Sequence, residues 1–247
     1  MVALPVSGID VTLRRPAGEE DVLLCEAPRR DMRLSVALLS RLTGTRCEEL
    51  PVGDVELLLL ELRRLMFGDV VRSDTTCPDC GAKVDVEFRI SDYVAHHASR
   101  PSPDVRPSGE EGWLSLAGTP VMFRVPLASD QIAVSGRADA ERMMIARCVH
   151  PAALPARTLG RVARALQRLA PSLGDVVQGV CPECAAEIAV YFDPQELALS
   201  ELRQEAALIY DEIHLLASHY GWSEAEIMAL PRTRRMRYAD LIREEGH

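Results

Sequence analysis

Apolar positions follow the same order twice along the chain, once in residues 11 to 92 and again in residues 121 to 196. Each stretch begins with alternating apolar residues, which predict a short strand, and continues with a helical period that opens after a Leu-Pro pair. Each stretch ends in a Cys-Pro-x-Cys motif and a second alternating run, which is typical of a half-buried strand. Because these matches occur in the same order, we interpret the chain as a tandem repeat, which duplication or convergence could have produced.

The matched positions predict a strand, helices, a C-x-x-C turn and a strand in each copy. Val11, Leu13, Arg14, Pro16, Glu20 and Val22 correspond to Val121, Phe123, Arg124, Pro126, Asp130 and Ile132. Helices are expected to open after Leu50-Pro51 and Leu154-Pro155 and to close at the Gly-Asp-Val-Val segments that begin at Gly68 and Gly174. After the cysteines, Val84, Val86 and Phe88 match Ile188, Val190 and Phe192.

The end of the chain has helical periods and no such alternation. Asp193-Pro194 predicts a helix start, and Gly221 predicts a helix end. Between them, apolar residues recur in steps of three and four and predict one long amphipathic helix. Ser223 and Glu226 form a capping-box pattern for a short helix, and a basic helix is expected from Arg232 to Arg243. The residues of the long apolar seam are Leu202, Ala206, Ile209, Ile213, Leu216 and Tyr220.

A proline-rich polar segment separates the two copies and is typical of a linker. The predicted fold class is α+β, a tandem pseudo-twofold duplication joined by a zinc-ribbon-like site and followed by a helical C-terminal tail. The predicted domains are a first repeat at 1–98, a linker at 99–112, a second repeat at 113–196 and a helical C-terminal region at 197–247.

Composition and charge argue against nucleic acid, sugars and membranes as partners. Only 4% of the residues are aromatic, which is few for a surface that stacks bases or sugars. The net charge of −9 opposes non-specific attraction to nucleic acid or to anionic membranes. The sequence has no basic leader before an apolar run, and the longest run of large aliphatic residues, Leu57 to Leu60, is four residues. We therefore expect a cytoplasmic protein with no membrane partner.

Two C-x-x-C pairs predict one structural zinc ion. A single pair offers half of a tetrahedral thiolate shell, so two homologous copies packed about a local twofold axis would complete it. The alternatives are unligated turn cysteines, a redox disulfide, or separate sites completed by His96, His97, Cys148 or His150. Both pairs precede strand-like runs, whereas a redox pair is expected to open a helix. The predicted ligands are Cys77, Cys80, Cys181 and Cys184.

No catalytic motif stands out. Nucleophile elbows, phosphate-binding glycine loops and H-E-x-x-H are absent from the sequence, and zinc with four cysteine ligands leaves no open position for substrate. We therefore expect no enzyme activity and assign no catalytic residue. A zinc-ribbon adaptor that binds nucleic acid or a transcription or processing complex remains the alternative, for which the basic tail would be the contact. The arginines of this tail are Arg232, Arg234, Arg235, Arg237 and Arg243.

The C-terminal segment resembles a known family. Ile213 to Ile227, with its Tyr-Gly-Trp turn, is similar to baseplate proteins of contractile-tailed phages of the T-even hub-assembly type. The L-P-V-S-G opening at Leu4 to Gly8 and the turn at Cys77 to Gly81 resemble zinc-containing relatives in contractile injection systems. The resemblance implies a structural or chaperone role with other baseplate or tail proteins as partners, and incorporation into a phage-tail-like particle.

The resemblance also nominates a contact surface in the tail, although packing of the same residues on the chain's own body is the competing interpretation. The oligomeric state stays open. The candidate partner-binding residues are Ile213, Leu216, Tyr220, Trp222, Arg234, Arg235 and Tyr238.

Overall fold

A computed structural model describes residues 1–245 and shows a mixed α+β fold. The first part of the chain contains β1 (Val2–Leu4), β2 (Ile9–Val11), α1 (Gly18–Glu26), α2 (Met32–Thr43), a 3-10 turn (Cys47–Glu49), α3 (Val52–Phe67), β3 (Val70–Thr76), β4 (Lys83–Arg89) and α4 (Ile90–His96). The middle part contains β5 (Val105–Pro107), β6 (Leu114–Leu116), β7 (Met122–Phe123), α5 (Ala128–Val134), α6 (Ala140–Cys148), β8 (Val149–His150), α7 (Ala156–Leu169), β9 (Asp175–Val180) and β10 (Glu187–Phe192). The tail contains α8 (Pro194–Ala206), α9 (Ile209–Tyr220), α10 (Glu224–Met228) and α11 (Arg232–Glu245).

Within residues 1–245, all of the sheets are antiparallel and small. Three are hairpins, β1 with β2, β3 with β4, and β9 with β10, and the fourth has the order β5-β6-β7-β8. A two-stranded hairpin is marginal on its own in water and needs packing from other elements. The hairpins therefore depend on the helices and on each other.

The largest hydrophobic core surrounds α3, whose apolar residues extend around most of the helix. Leu58, Leu59 and Leu60 are all fully buried, which requires neighbours on several sides. Helices α2 and α8 lie against α3, and α1 lies against α8. Each buried leucine contributes roughly 1.5–3 kcal/mol relative to exposure. Helix α3 is therefore the centre of the fold.

The two halves of the chain share this core. Helix α5 lies in the second predicted repeat, yet its first amide, at Ala128, donates to the carbonyl of Leu50 over 2.9 Å. The amide of Val52 donates to Pro126 over 3.1 Å. Leu173 and Phe192 from the second half also belong to the core. A smaller core lies under the four-stranded sheet and includes Phe123, Val121, Cys148 and Val162.

The long seam helix that the sequence predicts is two helices, α8 and α9. Ala207 and Leu208 separate them, and the amide of Ala207 donates to the carbonyl of Gln204, three residues earlier, over 3.3 Å. Helix α8 packs on α3 and α1, whereas α9 packs on α10 and α11, so the chain must turn between these neighbours. The prediction of one helix was wrong because the backbone stays close to helical at the break and the apolar period continues.

Three strands and one helix end also differ from expectation. The predicted linker contains β5, which pairs with β6, so it is not wholly an extended connection. Each C-x-x-C turn is preceded by a strand, β3 or β9, whose sequence does not alternate regularly between apolar and polar residues. Helix α3 ends at Gly68, with φ of 87°, as expected, but α7 ends at Leu169, before Gly174.

Candidate metal centre

The two C-x-x-C motifs form the connections of two matching hairpins. In the first, the amide of Cys77 donates to Ala82 over 2.8 Å, and the amide of Gly81 donates back to Cys77 over 3.0 Å. In the second, Cys181 and Ala186 make the same bond at 2.9 Å, and the amide of Ala185 donates to Cys181 at 2.9 Å. Both turns therefore have the same pattern of backbone hydrogen bonds.

The residue after each second cysteine adopts the left-handed conformation. Gly81 has φ of 72°, and Ala185 has φ of 60°. Glycine accepts this conformation freely, whereas a Cβ makes it costly. Among the described non-glycine residues with positive φ, Ala185 is the one found, which marks the turn geometry as imposed by its surroundings.

The four sulfur atoms lie within 4.8 Å of one another. The Sγ atoms of Cys77 and Cys184 are 3.6 Å apart, and those of Cys80 and Cys181 are 3.7 Å apart. Zinc with bonds of about 2.3 Å to four thiolates has sulfur atoms roughly 3.8 Å apart at the corners of a tetrahedron. The group therefore fits the dimensions of one tetrahedral metal site and could hold a metal ion.

The four thiols lie so close together that their ionised forms are stable only beside a positive charge. The amides of Cys80 and Asp79 donate to the sulfur of Cys77 and lower its pKa to about 7. The amide of Ala186 favours the thiolate of Cys184, but the neighbouring thiols and partial desolvation outweigh it and raise the pKa of Cys184 to about 12. Four thiolates at this spacing repel one another unless a cation lies between them.

Equivalent side chains of the two hairpins pack together beside the sulfur atoms. Val84 and Ile188 are buried with Cys77 and Cys181 in a small cluster of their own. The rings of Phe88 and Phe192 meet edge to face with centroids 5.1 Å apart. Apolar packing therefore brings the hairpins together along their length.

The candidates for additional ligands lie elsewhere. The Sγ of Cys148 donates to Asp130 over 3.7 Å, and burial raises its pKa to about 11. His97 lies 3.1 Å from a carboxylate oxygen of Asp175 through Nε2. Within residues 1–245, the one group of three or more potential metal ligands is the four-cysteine group, so His96, His97, Cys148 and His150 do not complete it.

Comparison with known families adds one finding. The model of the family described as T4 bacteriophage base plate protein matches residues 2–153. The chain belongs to this family. The match includes the first C-x-x-C pair and ends before the second. It covers the resembling segments at Leu4 to Gly8 and Cys77 to Gly81 and excludes the segment at Ile213 to Ile227. No curated protein and no solved structure matched the chain.

The structure places the nominated tail residues in two environments. The rings of Tyr220 and Trp222 stack with centroids 4.8 Å apart, and Tyr238 lies edge-on 5.3 Å from Trp222. This aromatic cluster reaches the surface at Tyr220. Arg234 is exposed, and Ile213 is half-buried.

Two of the nominated residues lie inside the chain, which argues against a direct partner contact for them. Leu216 is fully buried, and Arg235 is 1% exposed. The Nε of Arg235 donates to Glu212 over 2.6 Å, and its Nη2 donates to Asp21. Arg232 also donates to Asp21. Sequence patterns missed this ion network because Asp21 and Arg235 are more than two hundred positions apart.

Within residues 1–245, no helix combines the length and the apolar character needed to cross a membrane.

Proposed function

We propose that this chain is a structural or assembly protein of a phage baseplate or a contractile injection system and that it acts through protein contacts, without catalysis. The family match over residues 2–153 carries this proposal. A closed four-cysteine site supports it, because such a site stabilises a fold and offers no position for a substrate. The expected partners are other baseplate or tail proteins.

One zinc ion shared by both hairpins is the second part of the proposal. The distance from Cys77 to Cys184 is 3.6 Å, and the related distance from Cys80 to Cys181 is 3.7 Å. A twofold axis through the site would exchange these two distances, so their near equality supports one symmetric centre. Among common ions, zinc is favoured by four thiolates in a tetrahedral arrangement.

A duplicated origin of the two halves is the third part. Arg14 pairs with Glu20 at 2.8 Å, and the corresponding Arg124 pairs with Asp130 at 2.6 Å. Both acids also accept from the amide three residues earlier, at 2.8 Å and 2.9 Å, and so cap α1 and α5 in the same way. Such agreement between positions matched by sequence alone supports two copies of one ancestral unit.

The aromatic cluster of Tyr220, Trp222 and Tyr238, with Arg234 nearby in the chain, is a candidate partner contact. The tail is a poor nucleic-acid surface, because Arg232 and Arg235 are buried in ion pairs with Asp21. Arginines that face acidic groups inside the chain do not neutralise phosphates. Protein contact is therefore favoured over the adaptor alternative.

Deletion and complementation test the function. Removing the gene from cells that make the particle is expected to reduce intact contractile particles, counted by electron microscopy, at least tenfold, and the wild-type chain is expected to restore them. An unchanged particle count after deletion would contradict the proposed function. Metal analysis of the purified chain should give one zinc per chain, and two ions per chain would contradict a shared site.

A further inference from the structure

The outward faces of the two hairpins carry different chemistry at matching positions. Counted from the first cysteine of each turn, Arg72 corresponds to Val176, and the register pairs Arg72 with Glu87 and Val176 with Tyr191. In the first hairpin the two side chains form an ion pair at 2.8 Å. In the second hairpin the same two positions are apolar. A solvated charged pair is therefore replaced by Val and Tyr.

The difference extends along the face. Asp74 pairs with Asp85 in the first hairpin, whereas Gln178 pairs with Ala189 in the second. Towards the turn, Val180 is paired with Glu187. Val180 is 63% exposed, Tyr191 is 66% exposed and Val176 is 45% exposed. We call the uncharged outward residues of the second hairpin, Val176, Gln178, Val180, Ala189 and Tyr191, the neutral face. Glu187 borders this face at the turn end.

The apolar and uncharged character of the neutral face is unusual for an exposed surface. Isolated exposed apolar residues are ordinary, but three of them on one small sheet face, with the uncharged Gln178 and Ala189 between them and Glu187 at the turn end, are typical of an interaction site. The first hairpin provides the comparison within the same chain, because its matching face is charged. Both hairpins have the same turn and the same inward packing, so the cysteine site does not account for this difference between their outward faces.

Charge around the neutral face restricts its occupant. From Gly174 to Asp193 the hairpin contains no lysine or arginine, and its charged residues are all acidic: Asp175, Glu183, Glu187 and Asp193. A second copy docked face to face would oppose acid to acid, which is unfavourable. A partner with an apolar strip flanked by lysine or arginine would match both the apolar and the acidic parts.

We infer that the neutral face docks another protein of the assembly through an apolar strip flanked by basic residues. This inference rests on the proposed function and adds the surface and the chemistry of the partner. Apolar residues in the centre with charges at the rim is the usual arrangement of a protein interface. Tyr191 is the expected anchor, since exposed tyrosine is enriched at positions that dominate binding energy.

A pair of reciprocal double variants tests the inference. Val176→Arg with Tyr191→Glu gives the second hairpin the ion pair of the first and so keeps a favourable cross-strand contact. The matched control, Arg72→Val with Glu87→Tyr, removes charge from the first hairpin. We expect the first variant to lower particle number at least tenfold in the complementation assay, with unchanged zinc content and circular dichroism, and the control to complement fully. Full complementation by the first variant would overturn the inference and leave the proposed function standing, whereas an unchanged particle count after gene deletion would overturn both.

Photo-cross-linking identifies the occupant. A benzophenone amino acid is placed at Ala189 in the full-length chain, irradiated during assembly in the cells, and compared with the same group at Asp85. The expected product joins position 189, and not position 85, to an apolar segment with flanking lysine or arginine in a different protein. A cross-link to a second copy of this chain, to a segment with acidic flanks, or to no protein would overturn the inference.

Discussion

At the scale of single residues, the two C-x-x-C turns differ by a Cβ atom at the position with positive φ. Gly81 and Ala185 occupy the same position and both have positive φ. The left-handed conformation costs a residue with a Cβ roughly 1–2 kcal/mol, and glycine loses about 0.5–1 kcal/mol more entropy on folding than alanine. The conformational cost is the larger of the two, so glycine is favoured at both positions.

We therefore expect Ala185→Gly to raise the free energy of unfolding by about 0.5–1 kcal/mol, and Gly81→Ala to lower it by a similar amount. A Cβ at Gly81 would meet no atom within 4 Å, so the change tests backbone conformation without a steric clash. Denaturant unfolding of the metal-loaded proteins measures both values. Equal stabilities for all three proteins would contradict a strained turn.

Asp130 gives a prediction about pH. Burial alone would raise the pKa of Asp130, but hydrogen bonds from Arg124, the Leu127 amide and Arg147 lower it to about 2. A lowered pKa stabilises the fold above the unfolded value of about 3.9, and this stabilisation is lost as pH falls towards 2. The free-energy advantage of the wild type over Asp130→Asn should therefore shrink between pH 4 and pH 2.

The difference between the two proteins is the quantity to measure, because acid also protonates the thiolates in both of them. Denaturant unfolding at several pH values from 5 to 2 gives this difference. A constant difference over the range would show that Asp130 does not titrate with a lowered pKa.

At the scale of elements, close backbone contact fixes the tail to the body. A Cβ added at Gly18, the first residue of α1, would lie 2.6 Å from the Cα of Met228 and 2.9 Å from its carbonyl oxygen. Backbone atoms cannot yield as a flexible side chain can. Gly18 therefore permits α10 to approach α1, next to the buried contacts of Asp21 with Arg232 and Arg235.

Gly18→Ala is accordingly expected to displace the tail and to destabilise the protein by about 1–3 kcal/mol. Limited proteolysis should cut faster near Ala207 and Leu208, between α8 and α9. Gly160→Ala is the matched control, because its nearest neighbour would be the Arg164 guanidinium at 3.8 Å, and alanine inside a helix gains about 0.5–1 kcal/mol. Equal cleavage rates for both variants and the wild type would contradict this role of Gly18.

Sequence periodicity predicted the helices and strands that have one buried face. It did not predict the elements whose conformation depends on contacts with distant parts of the chain. Helices α3 and α7 begin after their Leu-Pro pairs, and β4 and β10 show the alternation expected of half-buried strands. Strand β3 is mostly polar, because its inward contacts are few and its bonds go to β4. The buried pair of Asp21 and Arg235 joins distant segments, and no local pattern reports such a contact.

At the scale of the whole molecule, the four-cysteine group joins parts of the chain that also share a core. Cys77 and Cys181 belong to different hairpins, while Leu173 and Phe192 from the second half lie in the core around α3. The sequence spacing of the cysteines does not by itself predict that they meet, because a hundred residues lie between the two pairs. The internal match made their proximity predictable, and the structure places the sulfur atoms together.

Removal of the proposed zinc ion is expected to affect the whole fold and not one hairpin. Structural zinc contributes on the order of 10–16 kcal/mol of binding in small peptides, so a loss of about 5 kcal/mol and of about 10–20 °C in Tm is a conservative expectation here. Thermal unfolding by circular dichroism, with and without a chelator, measures the loss. Cys25→Ser is the control, since Cys25 lies outside the group and bonds to the carbonyl of Ala206. An unchanged Tm after chelation would contradict a structural role.

The pattern of loss among single cysteine variants separates one shared site from two independent ones. If one ion joins the hairpins, Cys77→Ser and Cys181→Ser should each weaken the same centre, and each variant should lose most of its zinc and show the same fall in Tm. Two independent sites would instead leave each variant with half of the wild-type metal. The double variant adds a further criterion, because two substitutions in one centre should cost less together than the sum of their separate effects. Additive losses in the double variant would therefore contradict the shared site even where the total zinc content agreed with it.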